Sequence, residues 1–250
     1  MSFTSALLAF ASQRFPKLSS RVLASSGYTL DLEKFGPNAF GVWSPSTAER
    51  QDRAWQPIIA EAKAGRPRED VAALEAALAE LPATATLLEV GCGGGYNSEI
   101  VAFSAPAVMY TGLDLSEHMI NLCRQHYPDR TFTVGSAYEL PFDDNSFDVV
   151  MDGVALLHMT EWPRALAQYA RVAKKYVVLH GITVTEGTTA TFAKYAYGQP
   201  SLELVFGRAE VMAELKKAGL KLISTHPGDD YDLEAYLGIP SVSETWVLSV

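Results

Sequence analysis

A short apolar run that ends in a glycine-rich loop, LLEVGCGGGYNSEI at residues 87–100, constrains the fold more than any other feature of the chain. Glycine occupies four of the five positions from 91 to 95. Glycine permits positive φ and lets a ligand approach the backbone closely, and the start of a following helix offers unpaired N–H groups. The segment therefore predicts a strand, a tight loop and a helix, with a ligand bound over the loop.

Apolar runs alternate with helical patterns from residue 86 to the end of the chain. The strand candidates are TLLEV, VMYTGLDL, TFTVGS, SFDVVMD and KYVVLHGIT, and helical patterns cover 115–126 and 161–173. A further helix and strand follow in GRAEVMAELKKAGLKLISTH, and ETWVLSV forms the last strand. This alternation predicts an α/β fold in which helices cover both faces of a mostly parallel sheet.

The first 80 residues have a different pattern, which is mostly helical. We therefore expect a helical N-terminal cap region at 1–80 and a main domain at 81–250. Within the cap region, residues 27–44 are rich in glycine and aromatic residues and predict an ordered loop or lid. Residues 182–206 fit neither the helical nor the strand pattern and predict an insertion in the main domain.

Composition excludes several classes of function. The net charge is −9 with no Lys/Arg-rich stripe, whereas a protein that neutralises many phosphates needs one, so nucleic acid is not expected as the principal partner. The two cysteines, Cys92 and Cys123, form no metal-ligand cluster or disulfide framework, so we predict no metal and a reducing, cytoplasmic location. No run approaches the roughly 18 apolar residues of a membrane span.

The spacing of the glycines distinguishes between two kinds of ligand. In a dinucleotide-binding G-x-G-x-x-G motif, the third glycine would fall on Tyr96, whose bulk would hinder helix–strand packing. The alternative pattern, Glu89-x-Gly91-x-Gly93-x-Gly95, is complete. An acid two residues before the first glycine would repel a pyrophosphate, so the pattern favours a ligand that carries positive charge.

A second acid, Asp114, follows the next predicted strand, 19 residues after Gly95. A carboxylate at that strand end can accept hydrogen bonds from both hydroxyls of a ribose. Asp114 could instead cap the following helix, but Ser116 could do this equally well. We therefore predict that Asp114 binds a ribose.

In these motifs the chain resembles the class I S-adenosylmethionine-dependent methyltransferases, specifically the small-molecule group related to the quinone-biosynthesis enzymes. The resemblance covers roughly residues 86–182, and it is carried in order by LLEVGCGGG, GLDLS, GSAYELPFDDNSFDVV, LLHMTEW and ALAQYARVAKKYVVL. It implies a Rossmann-like sheet of seven mostly parallel strands with a reversed last strand. It also implies S-adenosylmethionine as cofactor, S-adenosylhomocysteine as product and a small-molecule acceptor.

The resemblance implies a role for ten residues in binding the cofactor. Its methionine part would lie over the glycine loop, its ribose on Asp114 and its adenine against an apolar side chain. Ser136 stands where the family commonly has an acid that reaches the adenine amino group, so one hydrogen bond worth about 1 kcal/mol is weakened. The implied residues are Glu89, Gly91, Gly93, Gly95, Asp114, Leu115, Ser136, Ala137, Met151 and Asp152.

His158, in ALLHMT, is the candidate general base, because family members often present a polar residue to the substrate at this position. A base is needed only where the acceptor carries a proton that must leave. The alternative is that His158 only orders this turn.

Aromatic residues of the lid and of the 182–206 insertion are the candidates for acceptor binding, on the substrate side of the main domain. Their rings suit an apolar or flat acceptor, although they could equally pack the cap against the core. The candidates are Tyr28, Trp43, Tyr195 and Tyr197.

Two other functions share parts of this sequence pattern. An NAD(P)-dependent reductase would also use a glycine loop and Asp114, but Tyr96 and Glu89 argue against it. A domain that binds S-adenosylmethionine without catalysis would retain the same binding residues. No sequence feature fixes the acceptor atom or the oligomeric state.

Overall fold

One mixed sheet of nine strands organises the described part of the chain in a computed structural model. The structure describes residues 30–32, 45–196, 199–229, 231–234 and 238–250. The strands are β1 Thr86–Val90, β2 Met109–Asp114, β3 Thr131–Val134, β4 Phe147–Gly153, β5 Ala173–Thr185, β6 Ala190–Ala196, β7 Gln199–Gly207, β8 Lys221–Pro227 and β9 Ser241–Ser249.

Six helices accompany these strands in the described residues. They are α1 Pro45–Lys63, α2 Glu69–Ala79, α3 Asn97–Ser104, α4 Glu117–His126, α5 Trp162–Val172 and α6 Arg208–Lys217. A short 3₁₀ turn, Leu156–His158, follows β4. None of these helices combines the length and the apolar composition that a membrane crossing requires.

The core of the sheet is parallel, in the order β3-β2-β1-β4-β5. The last strand, β9, runs antiparallel to β5, and β8 runs antiparallel to β9. The α/β fold, its mostly parallel sheet and its reversed last strand are therefore confirmed.

The expected count of seven strands is wrong for the described chain, because the 182–206 segment adds two. Residues 182–185 extend β5, and the rest of the segment forms the antiparallel hairpin β6–β7. β7 also pairs in parallel with the far end of β5, at Val184 and Thr185. The alternation of polar and apolar residues in this segment is too irregular to have predicted two strands.

Alternate residues of the central strands face opposite helical layers, as the period of two in a strand requires. Leu87, Val149 and Met151 are buried in one apolar cluster with residues of α1, α2 and α3. Leu88 and Val150 are buried in another, with residues of α5 and α6. Both faces of the sheet are therefore covered.

The carboxyl ends of β1, β2 and β4 lie at one edge, because Val90 pairs with both Leu113 and Asp152. The loops that follow these strands meet there, at the place where open parallel sheets bind ligands. This edge carries the candidate site.

Candidate functional site

A cavity of about 680 Å³ opens at the carboxyl edge of the sheet. One wall, which we call the loop wall, consists of the segments that follow β1, β2, β3 and β4. The opposite wall, which we call the cap wall, consists of residues from α1, α2, the β6–β7 hairpin and the segment after β8. Residues of the loop wall include Gly91, Gly93, Asp114, Leu115, Ser136 and Ala137, and those of the cap wall include Gln51, Arg68, Lys194, Leu202, Glu203 and Tyr231.

The glycine loop takes a conformation that few other residues adopt. Gly91 and Gly93 have φ of 74° and 51°, and both line the cavity. A Cβ atom on Gly91 would lie 2.1 Å from the Cβ of Ala155, so no side chain fits there. The loop is fixed to the next strand by the Gly91 N–H, which donates to the Leu113 carbonyl at 2.7 Å.

Gly95 has a different role from the other two glycines. Its φ is 82°, but it does not appear among the residues that line the cavity. A Cβ at this position would lie 3.1 Å from both the Cys123 sulphur and the Tyr127 ring. Gly95 therefore allows the loop to pack against α4.

Asp114 lines the cavity at the end of β2, as predicted. Its Oδ2 accepts from the Gly93 N–H at 2.9 Å and its Oδ1 from the Ser116 N–H at 2.8 Å. Ser116 caps α4 through its own side chain, as expected. Burial raises the pKa of Asp114, and the two N–H donors oppose that rise. Because each carboxylate oxygen has two lone pairs, the side chain can still accept from a ligand hydroxyl.

The next residues supply a surface for a flat group. Leu115 lines the cavity with 74% of its surface exposed. Ser136 and Ala137 line the cavity as well, and Ser136 Oγ accepts from the Tyr138 N–H at 3.2 Å. The structure thus brings these three predicted residues to the same wall as Asp114.

Glu89 lies behind the glycine loop and does not line the cavity. Its Oε1 accepts from Asn97 Nδ2 at 2.8 Å, and its Oε2 accepts from the Tyr110 hydroxyl. Burial raises the pKa of Glu89 to about 7. A Cβ on Gly153 would lie 2.1 Å from Glu89 Oε1, so a glycine is needed on the neighbouring strand. Glu89 is thus held behind the loop by Asn97 and Tyr110 and has no direct access to the cavity.

Met151 and Asp152 were expected beside the ligand's amino group, but the structure puts Gly153 and Val154 on the cavity wall instead. Met151 is buried in the apolar cluster that it forms with residues of α1, α2 and α3. Asp152 accepts from the N–H groups of Ala155 and Leu156, at 2.9 and 3.0 Å, and burial raises its pKa to about 6. Asp152 therefore holds the 3₁₀ turn that carries His158.

His158 lines the cavity at the end of this turn. Its Nδ1 lies 2.7 Å from the Leu202 carbonyl oxygen, which can only accept, so Nδ1 carries the proton. Nε2 of the neutral ring is then an acceptor. Burial lowers the pKa of His158, and the nearby Glu203 opposes that decrease. The ring is consequently neutral at pH 7 and has the protonation state of a base.

Sequence reasoning missed a polar cluster on the cap wall, beside His158. Lys194 Nζ lies 2.9 Å from Glu203 Oε1, and the Tyr231 hydroxyl donates to Glu203 Oε2 at 2.7 Å. Glu203 is nearly fully buried, while Lys194 is partly exposed in the cavity. Lys194 and Glu203 lie on facing strands of the hairpin that the sequence presented only as an insertion.

A second missed cluster joins the N-terminal helices to the segment after β8. Arg68 Nε donates to Asp70 Oδ1 at 2.7 Å and lies 3.5 Å from Asp229 Oδ2. The Arg68 guanidinium also stacks over the Trp55 ring, 4.9 Å from its centroid, and Trp55 stacks on Tyr96 at 3.9 Å. No sequence motif signals these contacts.

The remaining candidates are placed as follows. Tyr28, Trp43 and Tyr197 lie outside the described residues, and Tyr195 is described only by its backbone, in β6. Their contact with an acceptor stays a prediction. In the described part of the chain, no group of three or more His, Cys, Asp and Glu side chains could hold a metal ion.

Comparisons with known proteins match the part of the chain that runs from β1 into β5. Residues 88–179 match the family model described as "Methyltransferase domain". A phthiotriol/phenolphthiotriol dimycocerosates methyltransferase of Mycobacterium tuberculosis is 39% identical over 90 residues, which cover 35% of this chain and 33% of the relative. The demethylmenaquinone methyltransferase of Bacillus licheniformis is 28% identical over 177 residues, which cover 60% of this chain and 76% of the relative. The chain thus spans only a third of the first of these relatives.

The fold is similar to that of solved methyltransferases. One is the 1,6-didemethyltoxoflavin-N1-methyltransferase of Burkholderia thailandensis, solved with 1,6-didemethyltoxoflavin and S-adenosylhomocysteine bound. The TM-score is 0.53 at 17% identity, with 84% of this chain and 91% of that one covered. At this identity the likeness supports the fold alone.

Proposed function

We propose that this chain, which carries a class I S-adenosylmethionine-dependent methyltransferase domain, transfers the methyl group of S-adenosylmethionine to a small-molecule acceptor by in-line displacement. The observation that carries the proposal is the side-chain-free cradle at Gly91 and Gly93, with Asp114 beside it at the same cavity wall. The two alternatives, a reductase and a binding domain without catalysis, are not favoured by the comparisons.

The residues at the loop wall fit this cofactor. A Cβ on Gly91 would clash with Ala155, and one on Gly93 would lie 3.0 Å from Gln51 Oε1. The space over the loop therefore stays open only because these residues are glycines. Asp114 would accept from the ribose hydroxyls and Leu115 would cover the adenine. We also propose that the adenine lies against Ser136 and Ala137. The other predicted residues, Gly95, Glu89, Met151 and Asp152, would support the site from behind the wall.

When bound, the cofactor supplies a methyl group on a positively charged sulphur, which is an excellent leaving group. The protein's contribution is then largely to hold the acceptor in line and to exclude water. The cap wall covers the cavity for this purpose. We propose that the 1–80 region and the 182–206 insertion act as the substrate-side cover of the 81–250 domain.

His158 would accept a proton from an acceptor that must lose one. Its Nδ1–H is committed to the Leu202 carbonyl, which orients the ring and leaves Nε2 unprotonated. Its lowered pKa keeps it ready as a base near neutral pH. Tyr28, Trp43, Tyr195 and Tyr197 are proposed to contact the acceptor.

A small acceptor suits the cavity better than a polymer does. The cavity of about 680 Å³ must hold both the cofactor and the acceptor, and the net charge of −9 disfavours nucleic acid. The relatives are named for phthiotriol, demethylmenaquinone and 1,6-didemethyltoxoflavin, none of which is a protein or a nucleic acid. The free thiols of Cys92 and Cys123 favour a cytoplasmic location, which we also propose.

Calorimetric titration tests the proposal. The purified protein is titrated with S-adenosylmethionine, S-adenosylhomocysteine, NADH and NADPH, and the titrations are repeated on Asp114→Ala and on Asp143→Ala, a control at an exposed acid outside the cavity lining. We expect micromolar binding of the two sulphur ligands that is weakened at least about a hundredfold in Asp114→Ala alone. Binding of a nicotinamide cofactor only would replace the proposal by a reductase.

Turnover is then measured as S-adenosylhomocysteine formed with a panel of small hydroxyl-, amine- and thiol-bearing acceptors. Methylation of a panel member establishes the activity. Cofactor binding without turnover on any acceptor would favour the non-catalytic alternative.

A further inference from the structure

A buried amide oxygen in the cavity lacks a partner among the described residues. Gln51, on α1, is only 7% exposed, and it lines the cavity. Its Oε1 has no hydrogen-bond partner within the described part of the chain. A buried acceptor without a donor is costly, so its presence at the wall of a ligand cavity points to a donor that the ligand brings.

Three other buried side-chain atoms in the described residues also lack partners, on Asn97, Ser104 and Ser146. None of these three residues lines the cavity. Gln51 is therefore distinguished from them by its location, and a ligand in the cavity can satisfy it whereas it cannot satisfy the others.

The position of Gln51 over the glycine loop indicates which part of the ligand it meets. A Cβ on Gly93 would lie 3.0 Å from Gln51 Oε1, so the amide stands directly over this glycine. The Gly93 N–H does not satisfy the amide, because it donates to Asp114 Oδ2. The glycine loop is the part of the wall assigned to the methionine end of the cofactor.

That end carries an ammonium group, and the acids expected near it are already engaged. Glu89 accepts from Asn97 and Tyr110, and Asp152 accepts from the turn after β4. Neither acid lines the cavity. The acids that do line the cavity are engaged too: Asp114 accepts from two N–H groups, Asp70 and Asp229 pair with Arg68, and Glu203 pairs with Lys194. The Gln51 amide oxygen is thus an acceptor at the wall that a cationic N–H donor can meet.

We propose that Gln51 is a cofactor-binding residue whose amide oxygen accepts a hydrogen bond from the ammonium group of S-adenosylmethionine. This inference rests on the proposed function. The nearby Trp55, one turn further along α1, stacks on Tyr96 at the end of the glycine loop and holds the helix in place. Helix α1 then contributes directly to the cofactor site, outside the region matched by the family model.

The test is titration of the full chain with two probes, S-adenosylhomocysteine and 5′-methylthioadenosine. The second keeps the nucleoside and lacks both the ammonium and the carboxylate. The variants are Gln51→Leu, which removes the amide, and Gln51→Glu, which keeps an acceptor and adds negative charge. Gln56→Leu makes the same substitution at an exposed position of the same helix and is the matched control.

We expect Gln51→Leu to weaken the binding of S-adenosylhomocysteine by at least about tenfold, because a hydrogen bond to a charged group is lost. Binding of 5′-methylthioadenosine should change by less than about twofold, and Gln56→Leu should change neither ligand. Gln51→Glu should bind S-adenosylhomocysteine as well as the wild type does or better, which also shows that the site tolerates a change at this position.

Four outcomes would overturn the inference. Unchanged S-adenosylhomocysteine binding in Gln51→Leu would show that the Gln51 amide does not bind the cofactor. Equal weakening of both probes would show that Gln51 only supports the fold. A larger loss in Gln51→Glu than in Gln51→Leu would assign the amide to the ligand's carboxylate. If the wild type binds neither probe, the proposed function itself fails, whereas the first three outcomes leave that function intact.

Discussion

The loop wall and the cap wall of the cavity are built in different ways. The loop wall combines exposed backbone at its glycines with side chains such as Asp114, Leu115 and His158, and it comes from the segments that directly follow four strands. The cap wall presents charged side chains that pair with one another across long stretches of sequence, as in Arg68 Nε, which lies 3.5 Å from Asp229 Oδ2. The loop wall therefore depends on backbone shape, and the cap wall on paired charges.

The two walls also hold their charges differently. On the loop wall side, Glu89 and Asp152 are buried and their hydrogen bonds come from neutral donors. On the cap wall, Glu203 and Asp70 are paired with the cations Lys194 and Arg68. Substitutions on the two walls should therefore destabilise the protein for different reasons.

The largest effect is expected from Gly91→Ala, which tests whether the loop wall depends on backbone shape. The new Cβ would lie 2.1 Å from Ala155 Cβ at a φ of 74°. We expect a loss of about 4 kcal/mol in the free energy of unfolding, measured by urea denaturation, together with loss of cofactor binding. Gly65→Ala is the control, since Gly65 has nearly the same φ of 75° with no atom within 4 Å of the added Cβ. A similar loss in both variants would refute the steric argument.

Next in size is Lys194→Met, which tests whether the cap wall depends on charge balance. Removal of Lys194 leaves the buried Glu203 without its cation, so we expect about 2 kcal/mol less stability by urea denaturation. Adding Glu203→Gln should restore most of it, because the buried charge is then removed too. S-adenosylhomocysteine affinity should stay unchanged in both variants. A double variant no more stable than the single one would contradict this account.

The pH dependence of stability should have opposite signs for His180, which is buried in β5, and for the two buried acids behind the loop wall. Burial lowers the pKa of His180 to about 4, so the unfolded chain binds its proton more readily and stability falls as pH falls from about 6.5 to 4. Each pH unit in that window contributes up to about 1.4 kcal/mol. Glu89 and Asp152 have raised pKa values, of about 7 and 6, and act in the opposite direction, since their contribution is lost as pH rises.

The measurement for this prediction is the free energy of unfolding of wild type and His180→Gln between pH 4 and 7.5. Glutamine keeps a partner for Thr245, whose hydroxyl lies 2.9 Å from His180 Nδ1. The stability of the variant relative to that of wild type should increase as pH falls. A difference independent of pH would show that His180 does not titrate below its ordinary range.

The smallest effect is a gain on the loop wall. Ser136→Asp supplies the acid that the family commonly places near the adenine amino group. We expect S-adenosylhomocysteine to bind about fivefold more tightly, equivalent to about 1 kcal/mol. Calorimetry on this variant and on Ser146→Asp, at a residue that does not line the cavity, gives the comparison. Unchanged or weaker binding in Ser136→Asp would mean that Ser136 does not face the adenine.

Sequence reasoning located most of the loop wall because its signals are local. A glycine at positive φ and an acid at a strand end are visible within a few residues, so Gly91, Gly93 and Asp114 could be assigned to one cavity wall. Leu115 and Ser136 were assigned there only through the family resemblance. It could not tell which acids face the cavity. Glu89 and Asp152 read as ligand contacts, but one lies behind the loop and the other holds a turn.

The same reasoning predicted almost none of the cap wall. Gln51, Arg68 and Lys194 stand in segments without a motif, and the hairpin that carries Lys194 read only as an insertion. His158 lines the cavity, but its protonation state depends on a carbonyl 44 residues away, at Leu202.

The sequence by itself determined the α/β fold, the glycine cradle and the position of Asp114, because backbone conformation and strand order follow from local pattern and composition. Only the tertiary structure decided that β6 and β7 extend the sheet, that Glu89 is buried behind the loop, and that Gln51 stands over Gly93. The physical reason is that burial and hydrogen-bond partners depend on which distant segments pack together. The spacing of residues along the chain carries no record of that packing.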